Sequence, residues 1–284
     1  MMGLDIVSVA LRALTYVGSI AAAGGILFAL GFPRPADVIR EGIERQIFVG
    51  CCLLLLIEPL RYAAFQLSIS EGDWSIAFGP DLRWLGLQTP LGQAAVTRLI
   101  GAVALMTIGP RSSAVGLAAA LAMIASFALE GHTASNEARS AISVAALLTH
   151  VTAIHWWLGT LYPLLMLTRV AEPATISAAI ETFARRAMWV IAGLLLAGAL
   201  LLILLTGGRI NAASPYQYRF VLKLLLVVLL LSVAAWNKLR LTPLLIRQHK
   251  MGRAKLLASI RLELIIAMSV LVATAWAIDS APDG

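Results

Sequence analysis

Charged residues and cysteines are both scarce in this chain of 284 residues. Only 13% of the residues are charged and 60% are hydrophobic, whereas an average soluble domain carries about 25% charged residues. The two cysteines, Cys51 and Cys52, are neighbours inside an apolar stretch, which excludes a disulfide framework. So apolar a chain needs lipid around it as well as a protein core, and an ordinary soluble domain is therefore excluded.

Motifs of ATP-driven machines are missing as well. The sequence has no phosphate-binding loop that ends in Gly-Lys-Ser/Thr, no Asp-Lys-Thr-Gly segment and no Cys-x-x-Cys pair. We therefore expect a protein that does not hydrolyse ATP and is not an enzyme. The net charge of +7 would suggest nucleic acid as the partner of a soluble protein. In a membrane protein it is a topology signal, and we expect no nucleic-acid partner here.

Eight apolar stretches approach or exceed the roughly 20 residues that a membrane-spanning helix needs. They cover residues 4–31, 46–69, 91–109, 113–130, 141–168, 184–206, 217–237 and 258–279. The first is too long for the apolar part of a signal peptide and follows no basic segment, so we expect a retained helix. The predicted fold is an all-α polytopic membrane helix bundle with eight transmembrane helices, in a single transmembrane domain, 1–284.

Lysine and arginine are distributed unevenly between the predicted loops. Of the 22, thirteen lie in the loops after spans one, three, five and seven, and only three lie in the opposite loops. Because cytoplasmic loops are enriched in these residues, both termini are predicted to be periplasmic. The outer side also carries eight acidic residues: Asp5, Glu71, Asp73, Asp81, Glu130, Glu137, Asp279 and Asp283. Such a face would attract cations.

Three of the four histidines lie in or at the outer end of predicted spans. His132 ends the fourth span, and His150 and His155 lie in the fifth, roughly 10–14 Å below its outer end and about 7.5 Å deeper. Five residues of helix turn the two rings about 140° apart, so they cannot share one ion unaided. Imidazole suits copper, zinc and iron, and the three residues are candidate metal ligands. Alternatively, each bonds a carbonyl or hydroxyl of a neighbouring helix.

Six basic or acidic residues interrupt the apolar spans and are candidates for ion pairs between helices. They are Arg12, Glu58, Arg61, Arg98, Lys223 and Glu263. Glu58 and Arg61, three residues apart, can also pair on one helix face. Charges inside a membrane mark ion and proton pathways in other proteins, so a transport role is the alternative.

Several short motifs occur in an order that is similar to that of a known family. Residues 131–134 read Gly-His-Thr-Ala, and His150 is followed seven residues later by Trp157-Leu-Gly-Thr. Further along, Tyr216 precedes Lys223, residues 237–240 read Asn-Lys-Leu-Arg, and residues 261–263 read Arg-Leu-Glu. This pattern resembles the copper resistance D family of bacterial inner-membrane proteins, closely over residues 120–279 and loosely before them.

The resemblance implies a multi-pass protein of the bacterial inner membrane that moves copper ions from the periplasm toward the cytoplasm. With copper as the metal, we expect His132, His150 and His155 to be the metal-binding residues, and the resemblance implies a soluble periplasmic copper carrier as the donor. Two positions depart from the family pattern. Thr160 stands where a second glycine is common, and Thr15 stands where many members have histidine, which would alter the copper site.

Two other functions fit the same sequence. A haem-bearing electron-transfer protein would ligate iron through two histidines on facing helices. For His150 or His155, the only available partner is His132, which is predicted at a different depth. In a structural or assembly protein, the histidines would only pack between helices.

Overall fold

The computed structural model describes residues 2–109, 112–130, 141–206 and 215–279. The regular elements of these ranges are all helices. In chain order they are α1 (Met2–Gly31), α2 (Pro33–Val38), α3 (Arg40–Ile69), α4 (Trp74–Ala77), α5 (Pro80–Gln88), α6 (Pro90–Thr107), α7 (Ser113–Ala125), a 3-10 helix (Ser126–Leu129), α8 (Ala141–Val170), α9 (Pro173–Thr206), α10 (Pro215–Trp236), a π-helical turn (Asn237–Leu241), α11 (Thr242–Arg247) and α12 (His249–Asp279).

Seven helices of the described ranges are long and apolar enough to cross a membrane, which confirms the helical membrane bundle. The predicted fourth span is shorter, because α7 and the 3-10 helix together cover only Ser113–Leu129. A 3-10 helix rises about 2.0 Å per residue and an α-helix 1.5 Å, so this segment reaches roughly 27 Å. That is close to the ~30 Å of a bilayer core. The eighth crossing stays a prediction that this length supports.

Helix directions also agree with an eighth crossing. Ser19 of α1 contacts His155 of α8, and Gly24, further along α1, contacts Gly159, further along α8. The two helices therefore run in the same direction. An odd number of crossings must then lie between them, which α3, α6 and the Ser113–Leu129 segment supply.

The segment Ser113–Leu129 runs back along α6. Arg98, in the middle of α6, contacts Ser126, near the end of the segment. Gly109, just after α6, lies beside Gly116, near the start of the segment. The second half of α6 and the segment thus form an antiparallel hairpin.

The last helix begins where α8 ends. The guanidinium of Arg253 in α12 donates to the backbone oxygens of Arg169 and Ala171, which end α8. Since α1 and α8 are parallel, the start of α1 and the end of α12 lie at the same face of the bundle. That this face is periplasmic stays a prediction from the loop charges.

Several helices extend beyond the predicted spans. Helix α9 begins at Pro173, eleven residues before the predicted 184, and α12 begins at His249, nine residues before 258. Proline is the first residue of α9, a position where its missing N–H costs no hydrogen bond. The predictions were short because hydropathy marks the lipid-embedded length, while charged residues outside the membrane can continue the same helix.

The largest buried apolar cluster lies between α1, α8, α9 and α12. Helices α1 and α8 cross closely at two glycines, where a Cβ on Gly24 would lie 2.5 Å from the Cα of Gly159. Small residues of this kind let membrane helices approach backbone to backbone. This crossing holds the histidine-bearing helix at the centre of the bundle.

Candidate functional site

His155 is buried between α8 and α1, with only 2% of its surface exposed. Its Nδ1 lies 2.8 Å from the carbonyl oxygen of Val151, and its Nε2 lies 2.9 Å from the hydroxyl of Ser19. A carbonyl can only accept, so Nδ1 carries the proton and Nε2 accepts from Ser19. Both ring nitrogens are occupied, and a metal ion could bind Nε2 only by displacing the hydroxyl.

His150 lies on the opposite side of α8 and faces α9. Its Nδ1 lies 3.1 Å from the carbonyl oxygen of Leu194. A Cβ on Gly198 would come within 3.1 Å of the ring, so glycine makes room for it. Lys223 of α10 is near enough to act on the ring electrostatically. The prediction that the rings of His150 and His155 diverge is confirmed.

The third predicted ligand, His132, lies outside the described residues, as does its Gly-His-Thr-Ala motif. Within the described ranges, no three side chains of His, Cys, Asp or Glu come together as a ready metal site. The fourth histidine, His249, is exposed at the start of α12, far along the chain from the other two. The described histidines therefore have different surroundings and do not form a facing pair.

A buried cluster of four charged residues links α3, α6 and the end of the 3-10 helix. The Nε of Arg98 lies 2.7 Å from Glu58, and Arg98 and Arg61 each bind one oxygen of Glu130 at 2.5 Å. Glu58 and Arg61, the pair expected on one helix face, are 4.0 Å apart and make the weakest of these contacts. The prediction of ion pairs between helices is confirmed here, and two carboxylates balance two guanidinium groups.

Glu130 differs from the sequence-based expectation. It is one of the eight acids predicted on the outer side, but its side chain is only 13% exposed and is paired with two arginines. Hydropathy could not show this, because Arg61 and Arg98 come from other helices. Glu130 ends the described segment immediately before residues 131–134, so the two arginines hold the point from which that segment starts.

The charged cluster and His155 both lie against the ring of Phe127. Arg98, which has no exposed surface, donates to the hydroxyl of Ser126 at 2.9 Å and lies 4.9 Å from the centre of the Phe127 ring. The same ring lies 5.6 Å from His155 and 5.7 Å from Tyr16. Sequence reasoning missed Ser19, Ser126 and Phe127, since serine and phenylalanine in a span carry no distinctive signal.

Thr15 also belongs to this region. It lies four residues before Ser19, so the two side chains share a face of α1. Thr15 is fully buried, and its hydroxyl has no hydrogen-bond partner in the part of the chain that the structure describes. An unpaired buried hydroxyl is costly and therefore marks a place where a polar ligand or water could bind.

Soft ligands are available deeper in the bundle. Cys51 is buried and packs in the same apolar cluster as Met123, while Cys52 is half-buried, and both thiols are free. Cysteine and methionine sulfur suit Cu(I). Cys51 and Met123 therefore place two soft sulfur atoms in one apolar cluster.

The connection between α3 and α4, which the loop charges predict to be on the outer side, carries a charged helix cap. The carboxylate of Asp73 accepts from the hydroxyl of Ser75 at 2.6 Å and from the backbone N–H groups of Ser75 and Ile76. These hydrogen bonds lower the pKa of Asp73, and the bond from the Ser75 hydroxyl has the largest effect. Asp73 therefore stays negative over the whole range of physiological pH and maintains the acidic character of this face.

Comparisons with known families match both halves of the chain. Residues 2–141 match the model of the copper resistance protein D-like N-terminal domain, and residues 177–277 match that of copper resistance protein D. No curated protein and no solved structure matches the chain. The two matches agree with the copper resistance D resemblance and lend no support to a haem protein.

Proposed function

Because the chain belongs to the copper resistance protein D family, we propose that it moves copper ions from the periplasm toward the cytoplasm. It is a multi-pass inner-membrane protein of copper resistance. The observation that carries the proposal is the match of two family models, one to each half of the chain. Copper is the cargo in this proposal.

The proposed route follows the outer half of α8. His132 captures the ion at the outer face, His150 accepts it, and His155 receives it deeper in the bundle. The first step is supported by Glu130, which lies two residues before His132 in the chain and is held by two arginines. At His155 the ion would replace the hydroxyl of Ser19, which is a neutral and therefore exchangeable partner.

The acidic outer face supports a donor on the periplasmic side. Asp73 and the other acids of that face attract cations and basic protein surfaces. We propose that a soluble periplasmic copper carrier delivers the ion there. The carrier would hand its copper directly to His132, so that free ions need not accumulate.

Copper accumulation in cells tests the histidine route. A double variant, His132→Ala with His150→Ala, is expected to lose copper-dependent accumulation. The matched control is His249→Ala, an exposed histidine outside the route, which should accumulate copper like the unmodified protein. Unchanged accumulation in the double variant, at equal protein levels in the membrane, would refute the site assignment.

Metal analysis separates copper binding from packing. The purified protein is loaded with copper, desalted and compared with a variant in which His132, His150 and His155 are all alanine. We expect bound copper in the first and its loss in the second. Equal copper contents would favour a protein whose histidines only pack between helices.

A further inference from the structure

Among the described residues, one buried carboxyl group, that of Glu263, lacks the ion pairs that Glu58 and Glu130 have. Glu263 of α12 is 4% exposed, and its Oε1 accepts a hydrogen bond of 2.6 Å from the Nδ2 of Asn237. Glu58 and Glu130, in contrast, both face two arginines. A carboxylate with a single neutral partner is costly to bury, and protonation removes that cost.

The partner of Glu263 is suited to both protonation states. In the described part of the chain, the Oδ1 of Asn237 is buried without a hydrogen-bond partner. The amide N–H₂ fits an ionised Glu263, which can only accept. After a half-turn of the amide, Oδ1 can accept from a protonated Glu263, which has become a donor. The pair therefore has a hydrogen bond available for each state.

The backbone at Asn237 is unusual. Asn237 starts the π-helical turn between α10 and α11, and its carbonyl oxygen accepts from the hydroxyl of Thr242 at 2.9 Å. π-Helical turns inside helices are frequent at functional sites. Residues 237–240 and 261–263 are two of the motifs found in the sequence, and this turn brings them into contact.

No ion pair within the described ranges compensates Glu263. The nearest basic residues along the chain are exposed: Lys238 and Arg240 on the π-turn, Arg247 on α11, and Lys255 and Arg261 on α12. Arg253 of α12 is half-buried and donates to the backbone at the end of α8. The surrounding helices carry further ionisable residues: Arg12 and Tyr16 on α1, His150, His155, Tyr162 and Arg169 on α8, Glu181, Arg185 and Arg186 on α9, and Arg219 and Lys223 on α10. Among the described residues, the hydrogen bond from Asn237 is the only polar contact of the Glu263 carboxyl group.

A groove that is open to the surface lies beside the chain neighbours of the pair. It has a volume of about 490 Å³ and is lined by Trp236 and Leu262, which adjoin Asn237 and Glu263 in the chain, together with Leu241, Ser259 and Lys255. Its lining is mostly apolar, and neither Glu263 nor Asn237 lines it. The buried pair of Glu263 and Asn237, and not this groove, therefore carries the proton site.

We propose that Glu263 is a proton-binding residue through which the protein couples copper movement to proton movement. One proton from cytoplasmic water binds a carboxylate oxygen and forms an O–H bond, and no other covalent bond changes. Asn237 then turns from donor to acceptor, which stabilises the neutral state. The coupling rests on the proposed copper function, whereas the proton site itself does not.

Infrared difference spectroscopy during a pH titration of the purified protein in lipid tests the proton site. We expect the carbonyl band of a buried carboxylic acid to appear as the pH falls, to vanish in Glu263→Gln and to shift in Asn237→Ala. Glutamine keeps an oxygen that accepts from Asn237, so the fold is retained. The control Glu172→Gln changes an exposed carboxylate and should keep the band. A band that persists in Glu263→Gln, or no band in the unmodified protein, overturns the site.

Copper uptake into liposomes, with and without an imposed pH gradient, tests the coupling. The unmodified protein should respond to the gradient, and Glu263→Gln should lose that response while it still takes up copper. If copper moves but both proteins respond equally or not at all, the coupling is wrong and the copper function stands. If the unmodified protein moves no copper, the proposed function fails, and the infrared result still decides the proton site.

Discussion

At the scale of single residues, the four charges of the cluster of Glu58, Arg61, Arg98 and Glu130 owe their stability to pairing with one another. Arg98 has no exposed surface, yet its guanidinium contacts Glu58, Glu130 and the hydroxyl of Ser126. In a buried network, each charge depends on its partners, and removing one leaves the others uncompensated. An exposed pair, such as Arg40 with Asp37, loses little when it is broken.

Replacing Arg98 by alanine should therefore destabilise the protein strongly. We expect a loss of about 3–5 kcal/mol in the free energy of unfolding, because two buried carboxylates lose their main cation. The matched control, Arg40→Ala, breaks a pair whose side chains are about 70% exposed and should cost less than ~1 kcal/mol. Unfolding in detergent mixtures measures both. Equal effects of the two substitutions would contradict the role of the buried cluster.

The bond between Ser19 and His155 is a second residue-scale test. Ser19→Ala removes the donor to Nε2 and should cost about 1 kcal/mol of stability, because a buried acceptor is left without a partner. Ser68→Ala, which removes an exposed hydroxyl bonded within its own helix, is the control and should have almost no effect. Both are measured by thermal unfolding. Indistinguishable stabilities would show that Ser19 does not hold the ring.

At the scale of helices, the bundle depends on close crossings of small residues. Gly24 and Gly159 bring the backbones of α1 and α8 together, and Gly50 brings α3 onto α1, where a Cβ would lie 2.6 Å from the nitrogen of Ala22. Lipid drives membrane helices together less than water drives soluble ones, so packing of this kind carries much of the association.

A methyl group at the crossing should separate the two helices. Gly159→Ala would place a Cβ against the backbone of Gly24, and we expect a loss of about 1–3 kcal/mol from overpacking. Gly193 of α9 has no atom within 4 Å of a built Cβ, so Gly193→Ala should be neutral or stabilise by up to ~1 kcal/mol through helix propensity. Thermal unfolding shows whether each substitution stabilises or destabilises the protein. A stabilising effect of Gly159→Ala would disprove the tight crossing.

At the scale of the whole molecule, charge and helix direction combine into an orientation. Helices α1 and α8 are parallel, and α12 starts where α8 ends. The beginning and the end of the described chain therefore lie at one face of the bundle. The distribution of lysine and arginine predicts that this face is periplasmic. The orientation decides which histidines lie toward the periplasm, where the proposed copper donor would be.

Labelling of single cysteines with a membrane-impermeant thiol reagent reports the orientation. In a background with Cys51 and Cys52 changed to serine, Ile76→Cys lies in α4 on the predicted outer side, and His249→Cys lies on the predicted inner side. Both side chains are exposed. We expect Ile76→Cys to react in intact spheroplasts and His249→Cys only after lysis. The reverse pattern would show that the predicted topology is inverted. Labelling of both cysteines from outside would contradict the predicted number of crossings between them.

Much of the fold follows from composition alone. A lipid environment demands long apolar helices, so nearly every long helix could be located from the sequence, although not its ends. The divergence of His150 and His155 follows equally from helix geometry, because both lie on one helix. Helix ends were less predictable, as α9 and α12 show, since hydropathy stops at the membrane surface and a helix need not.

The sequence by itself determined the membrane character, the spans and the identity of the candidate histidines and buried charges. Only the tertiary structure decided their partners. Glu58 pairs mainly with Arg98, His155 with Ser19, and Glu263 with Asn237, across 40, 136 and 26 residues. Periodicity shows which face of a helix a side chain occupies. Which helix meets that face depends on packing at small residues distant in the chain. These three polar pairs therefore form only once the helices have assembled.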